Sequence, residues 1–110
     1  MARTALGEFE HHVLIALVRL GGRSRGAAIV LELDGVTGRS VSAAAVFIAL
    51  RRLEQRGLGR SAKRDPKPGE GGRGSREFQI TAAGKAKLAD ARRTFELLWR
   101  GTDPLAEPSR

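Results

Sequence analysis

Residues Val41 to Arg60, VSAAAVFIALRRLEQRGLGR, leave their part of the chain one credible local structure. Ser42 offers a hydroxyl that can accept from an orphan backbone N–H in the first turn of a helix. Helix formers follow without a break, and Gly57 stands where a left-handed C-terminal cap belongs. Between these stops, Val46, Ala49, Leu50 and Leu53 recur at spacings that place them on one buried stripe. Phe47, Arg51, Glu54 and Gln55 lie off that stripe. A helix with an apolar inner face and a basic, aromatic outer face, stopping abruptly before a basic strand, fits a surface that reads DNA. It fits an ordinary core helix with a solvated side equally well.

The flanking segments narrow the choice. Leu6 to Leu20 has the pattern of a first helix, with Leu6, Phe9, Val13, Leu17 and Leu20 on one stripe and Leu14 and Val18 on a second face. A helix apolar on two sides is expected to be buried twice, once in its own domain and once against something else. Gly21-Gly22 ends it. Ser24 is placed to cap a second helix reaching about Val36, with Ala27, Val30, Leu31 and Leu33 available for packing. Gly26, poor for helix propensity, implies close packing or close approach of a ligand. The short break at Thr37-Gly38 followed by the Ser42 cap gives a helix-turn-helix spacing.

After Gly57 the period changes to two. Leu58, Arg60, Ala62 and Arg64 alternate with Gly59, Ser61 and Lys63 as a weak edge strand. Asp65 to Gly74 holds no hydrophobic residue and reads as a long turn. Ser75 to Ile80 alternates again, so two strands and a basic tip make a hairpin. Thr81 caps a last helix to about Arg100, closed by Gly101, on which Leu88, Ala91, Phe95 and Leu98 recur with Trp99 beside them. Lys85, Lys87, Asp90, Arg93 and Glu96 occupy its opposite face. A helix of roughly 20 residues is about 30 Å long, more than so small a domain can cover. A symmetric copy is the simplest cover for its distal end. The tail from Thr102, with Pro104 and Pro108, is expected to be disordered.

Composition excludes several classes of function. The chain of 110 residues, 41% hydrophobic, suffices for one modest core. Twenty Lys and Arg against 12 Asp and Glu give a formal charge of +8, which favours a polyanionic partner. From Arg51 to Ile80 there are nine basic and four acidic residues, so 9 − 4 = 5 of those eight charges lie in about a quarter of the chain. Without cysteine there is no disulfide framework, thiolate metal site or Cys nucleophile, as suits a reducing cytoplasm. The longest apolar run, Val13 to Val18, is far short of the ~20 residues that span a bilayer, and the N-terminus lacks signal-peptide character. A cytoplasmic protein with no membrane partner is expected. His11 and His12 are adjacent and diverge by about 100° on a helix, so no metal or other cofactor is expected. Ser24, Ser40 and Ser42 have no His–acid partner, and Gly69 to Gly74 lacks the Lys-Ser/Thr ending of a phosphate loop. The chain does not read as an enzyme.

The order of three helices, two strands and a terminal helix is that of a winged helix-turn-helix, mainly α with a small β-hairpin. From about residue 5 to 101 the chain also resembles the PadR-like transcriptional regulators. The resemblance rests on LGEFEHHVLIALVRLG at Leu6 to Gly21, VSAAAVFIALRRLEQRGLGRS at Val41 to Ser61, GGRGSREFQIT at Gly71 to Thr81, and TAAGKAKL at Thr81 to Leu88. The second block is the most specific, with Val46, Leu50, Arg52, Leu53, Glu54, Gly57 and Leu58 all fitting the family's helix. Ending after one terminal helix resembles the family's compact subgroup. Phe47 stands where the family usually has Tyr, which removes a hydroxyl able to donate to a phosphate. Arg25 precedes Gly26 where Tyr-Gly is common, and Gly59 replaces a β-branched residue, weakening the first strand.

The resemblance implies a DNA-binding domain over 1–80, a dimerisation helix over 81–101 continuous with it, and a disordered tail over 102–110. A recognition helix would turn Ser42, Ala43, Ala44, Phe47 and Arg51 to the major groove, with Arg51 suited to guanine. Against this, Phe47 can be a core aromatic and Arg51 a solvated side chain. Arg52, about 100° further round, is expected in an ion pair. Arg25 at the start of helix 2 and Lys63, Arg64, Lys67, Arg73 and Arg76 on the hairpin are candidates for phosphate or minor-groove contact. Phe9, Val13, Leu14, Leu88, Ala91, Phe95, Leu98 and Trp99 are the expected subunit interface. The implied function is a sequence-specific transcriptional regulator of double-stranded DNA, a homodimeric repressor open to relief by a small-molecule effector, although no polar cluster marks an effector site. Association with RNA or the ribosome, and a protein-interaction module built on the same fold, are the alternatives. The scarcity of aromatic residues speaks against a base-stacking RNA platform.

Overall fold

The computed structural model describes residues 5–64 and 75–106. Along the chain run α1 (Glu8–Arg19), β1 (Arg23–Arg25), α2 (Gly26–Thr37), α3 (Ala43–Gln55), β2 (Gly59–Arg64), β3 (Ser75–Ile80) and α4 (Ala82–Trp99). The architecture is mainly helical with one small antiparallel sheet.

α3 follows its sequence closely. The Ser42 hydroxyl accepts from Ala45 N at 3.2 Å, and Val46, Ala49, Leu50 and Leu53 are buried along one side. Gly57, at φ 75°, reverses the chain, so that Leu58 N reaches back to Leu53 O at 2.9 Å. Around this stripe close Val13, Leu14, Ala16 and Leu17 from α1, Ile29 and Leu33 from α2, and Leu58, Phe78 and Ile80 from the sheet side.

Three expectations need correction. The sheet has three strands in the order β1-β3-β2, not two, because Arg23 to Arg25 pairs with Gln79 to Glu77 on the far side of the hairpin. Ser24 therefore caps no helix. It is a buried strand residue opposite Phe78, its hydroxyl donating to Arg25 O at 3.0 Å, and α2 starts at Gly26 without a side-chain cap. Third, Val13 and Leu14 are fully buried within the protomer, so neither is on a surface that a second subunit could touch. Steps of one, two and one put Val13, Leu14, Ala16 and Leu17 on the core side, which turns Ile15 and Val18 outward instead. On α2, Ile29 and Leu33 do the packing, while Ala27 and Leu31 are exposed.

β2 is an edge strand, and on central β3 the buried residues are Phe78 and Ile80, as their alternation requires. Thr81 locks the sheet, α3 and α4 together. Its hydroxyl accepts from Gly84 N at 3.0 Å and donates to Gly57 O at 2.7 Å, while its N–H bonds Leu58 O at 3.2 Å. From Arg92 to Ala106 every residue is exposed.

Candidate nucleic-acid interface

The turn between α2 and α3 is held rigidly enough to aim the second helix. Gly38 adopts the left-handed conformation at φ 72°, the Thr37 hydroxyl donates to Leu33 O at 2.7 Å, and Val41 N donates to Asp34 Oδ1 at 2.8 Å. α3 then presents Ala43, Ala44, Phe47, Ile48, Arg51, Arg52 and Gln55 to solvent.

Phe47 is half in the core and half in solvent. Its ring meets Phe78 edge-on, with centroids 6.1 Å apart and planes at 63°, yet the residue is 46% exposed. The ring also lies against the backbone of Gly26, where any Cβ would collide with it. Close packing therefore explains Gly26, and the outward edge of Phe47 is held in a fixed place. Arg51 and Arg52 are both exposed, and neither has an ion-pair partner among the described residues. The ion pair expected for Arg52 is absent there: Glu54 instead accepts from the Ser61 hydroxyl at 2.9 and 3.0 Å.

The hairpin cations divide into engaged and open ones. Arg64 Nη1 lies 3.5 Å from Glu77, which also has Arg23 at 3.8 Å. Two guanidiniums share one carboxylate, so the group keeps a net positive charge. Arg76 donates to Ser61 Oγ at 2.9 Å, extending the Glu54–Ser61 link across the sheet. Lys63 is exposed and stands directly opposite Arg76 in the register. Like charges so paired repel. Lys67 and Arg73 lie outside the described residues, as do the whole of the expected long turn and the last residues of the tail. Arg25 is half-buried and directly precedes Gly26, the residue against which the Phe47 ring packs.

Four exposed residues were not singled out from the sequence: Ile48, 52% exposed on the outer face of α3, and Arg23, Arg39 and Arg60. Ile48 was legible, since it falls between the buried positions of the α3 stripe. Arg23 was not, because its place follows from the unforeseen β1.

Helices on one side, a turn-linked pair ending in an exposed basic helix, and a sheet whose hairpin flanks it define a recurrent arrangement. No protein-family model matches the chain, and no curated protein sequence matches it either. Solved structures do. RosR of H. salinarum superposes with a TM-score of 0.71 at 20% identity, covering 89% of this chain and 81% of that one. A PadR family transcriptional regulator from Eggerthella lenta gives 0.66 at 24% identity, covering 81% and 75%. A winged-helix DNA-binding protein from STIV gives 0.68 at 14% identity, covering 84% and 92%. The fold is a winged helix. In its terms α2 and α3 are the helix-turn-helix pair and β2–β3 form the wing.

A second surface of this winged helix lies away from the wing. α1 and α4 enclose an open apolar hollow of about 680 Å³ lined by Ile15, Val18, Leu88, Phe95 and Trp99, with His11 at its edge. The His11 ring stacks on Phe95 at 6.1 Å with an interplanar angle of 8°. Burial, and secondarily the neighbouring charge of His12, push the His11 pKa below its ordinary 6.5. Of the expected interface residues, Leu88 and Ala91 are half-buried against the protomer, as is Phe9 on α1, whereas Phe95, Leu98 and Trp99 are exposed. Among the described residues no cluster of His, Asp or Glu could hold a metal ion, and no helix is long and apolar enough to cross a membrane.

Proposed function

We propose that this protein is a PadR-like, sequence-specific regulator of transcription that binds double-stranded DNA as a homodimer. The observation that carries the reading is the exposed outer face of α3, where Arg51 and Arg52 have no carboxylate partner among the described residues and stand beside an anchored Phe47. An α-helix about 10–12 Å across matches the major groove, about 12 Å wide. Ser42 sets where its N-terminus meets base edges, and Lys63, Arg64 and Arg76 on the wing, with Arg25, supply phosphate contacts. Likeness of fold to RosR and to PadR family regulators supports the same reading. Residues 81–101 serve as the dimerisation helix, and a dimer covering promoter DNA acts most simply as a repressor. The hollow between α1 and α4 is of a size that takes small ligands, and an effector bound there would alter subunit geometry. An RNA-binding role has less support, because Phe47 is the lone exposed aromatic on the α3 face.

Selection from a random duplex pool, followed by titration at increasing salt, tests the proposal. Log K should fall with log [salt] at about −0.9 per phosphate neutralised. Arg51→Ala should cost about 1–3 kcal/mol at one base position and relax preference there. Failure to retain any duplex, or salt-insensitive retention, would overturn the proposal; an equal loss on all sequences would make Arg51 a phosphate contact.

A further inference from the structure

We infer that the first two turns of α3 read thymine methyl groups, with Ile48 and the outward edge of Phe47 as the contacting surfaces. The inference rests on the duplex-DNA reading above and specifies what that site recognises. Outward from the Ser42 cap, the exposed residues of these turns are Ala43, Ala44, Phe47 and Ile48. None carries a side-chain donor or acceptor, and the Ser42 hydroxyl at the cap, which accepts from Ala45 N, keeps only its O–H to offer. Side-chain polarity begins only one turn later, at Arg51, Arg52 and Gln55.

In the major groove a base pair shows hydrogen-bond donors, acceptors and, for thymine alone among the four bases, a C5 methyl group. An apolar side chain can discriminate only through that methyl. Both side chains are suited to do so. Phe47 is fixed between Phe78 and Gly26, so its exposed edge is ordered before binding. Ile48 is β-branched and restricted about χ1, and 52% of it is exposed. Charge selects the occupant: this apolar strip shares one surface with Arg51 and Arg52 on the same helix, within a chain of net charge +8. A polyanion carrying methyl groups in its groove complements that pattern better than an apolar protein surface does. The operator half-site should therefore place thymines beside the base read by Arg51.

The test uses the full chain and the duplex recovered from a random pool. Each thymine of that duplex is replaced in turn by deoxyuridine, which deletes the methyl and keeps the pairing. At the contacted positions binding should weaken roughly fourfold per methyl, the value of one buried methylene-sized group. Ile48→Ala, a change at the surface, should bind the thymine duplex less tightly and lose the deoxyuridine penalty at its own position. A duplex that binds equally well with deoxyuridine throughout overturns this inference and leaves the DNA-binding reading standing. An unchanged penalty in Ile48→Ala also overturns it, because the methyl is then read elsewhere. Retention of no duplex at all overturns both.

Discussion

At the scale of single residues, caps and close contacts matter most, and some of them oppose general propensity. Gly84 is an example. It sits in the first turn of α4, where replacing Gly by Ala ordinarily gains about 1 kcal/mol of helix propensity. Here a Cβ would run into the Leu58 carbonyl oxygen and crowd Ile80. The first of these is backbone, held by its bond from Thr81 N, so it cannot swing aside as a side chain would. Overpacking of this kind costs about 1–3 kcal/mol, and the steric cost should win. Gly84→Ala is expected to lower the denaturation midpoint; a raised midpoint would show that the β2–α4 junction yields easily. The two successful caps, Ser42 and Thr81, were legible because a cap bonds a backbone N–H three residues ahead. Ser24 had the same local signature and failed. Its environment is set by Phe78 across the sheet, a partner that no local pattern names.

Among the elements, the helices were legible from their apolar periods, and the hairpin from alternation around a turn-rich segment. β1 left no such trace, being three residues long and polar throughout. The same limit misplaced Val13 and Leu14, since a helix apolar on two faces does not reveal which face its own domain claims. α1 resolves this by burying Leu14 and Leu17 and turning Ile15 and Val18 toward α4. The seam between those two helices carries a titratable contact. His11 lies against Phe95, with His12 beside it on α1 and Lys85, Arg92 and Glu96 around the hollow on α4. Burial favours neutral His11 in the folded chain, so the unfolded chain binds a proton more readily. Stability should be unaffected by this group above about pH 6.5. It should fall as pH drops from there through the lowered folded value, and the loss should be complete below it. Thermal melts between pH 7.5 and 5 should show a decline that His11→Gln reduces. An identical decline in the variant would assign the effect to other groups.

For the molecule as a whole, shape and exposed apolar surface support the proposed homodimer. The Cα radius of gyration is 16.8 Å, against about 13 Å for a compact domain of this length. α4 contributes to the excess, since its distal half lies beyond the protomer core. Phe95, Leu97, Leu98 and Trp99 are each at least half exposed, and Ile15 and Val18 continue the patch on α1. A monomer rarely leaves so much contiguous apolar surface in water. In the proposed dimer, two-fold symmetry would bring the distal apolar residues of the two α4 helices together in a self-complementary contact. Sedimentation at micromolar concentration should give about 23.6 kDa, twice the 11.8 kDa of one chain. Trp99→Asp should shift the species to monomer while leaving far-UV dichroism near wild type, because Trp99 is half exposed and outside the buried core. It should also weaken binding to a two-half-site duplex by about 10²–10⁴, the effective-concentration gain of linked sites, while a single half-site is bound as before. The sole tryptophan of the chain gives an independent readout, since its emission should shift to the red on dilution through the dimer dissociation constant. A wild-type mass of 11.8 kDa at all concentrations would remove the dimer, and recognition would then depend on one α3 and its wing alone.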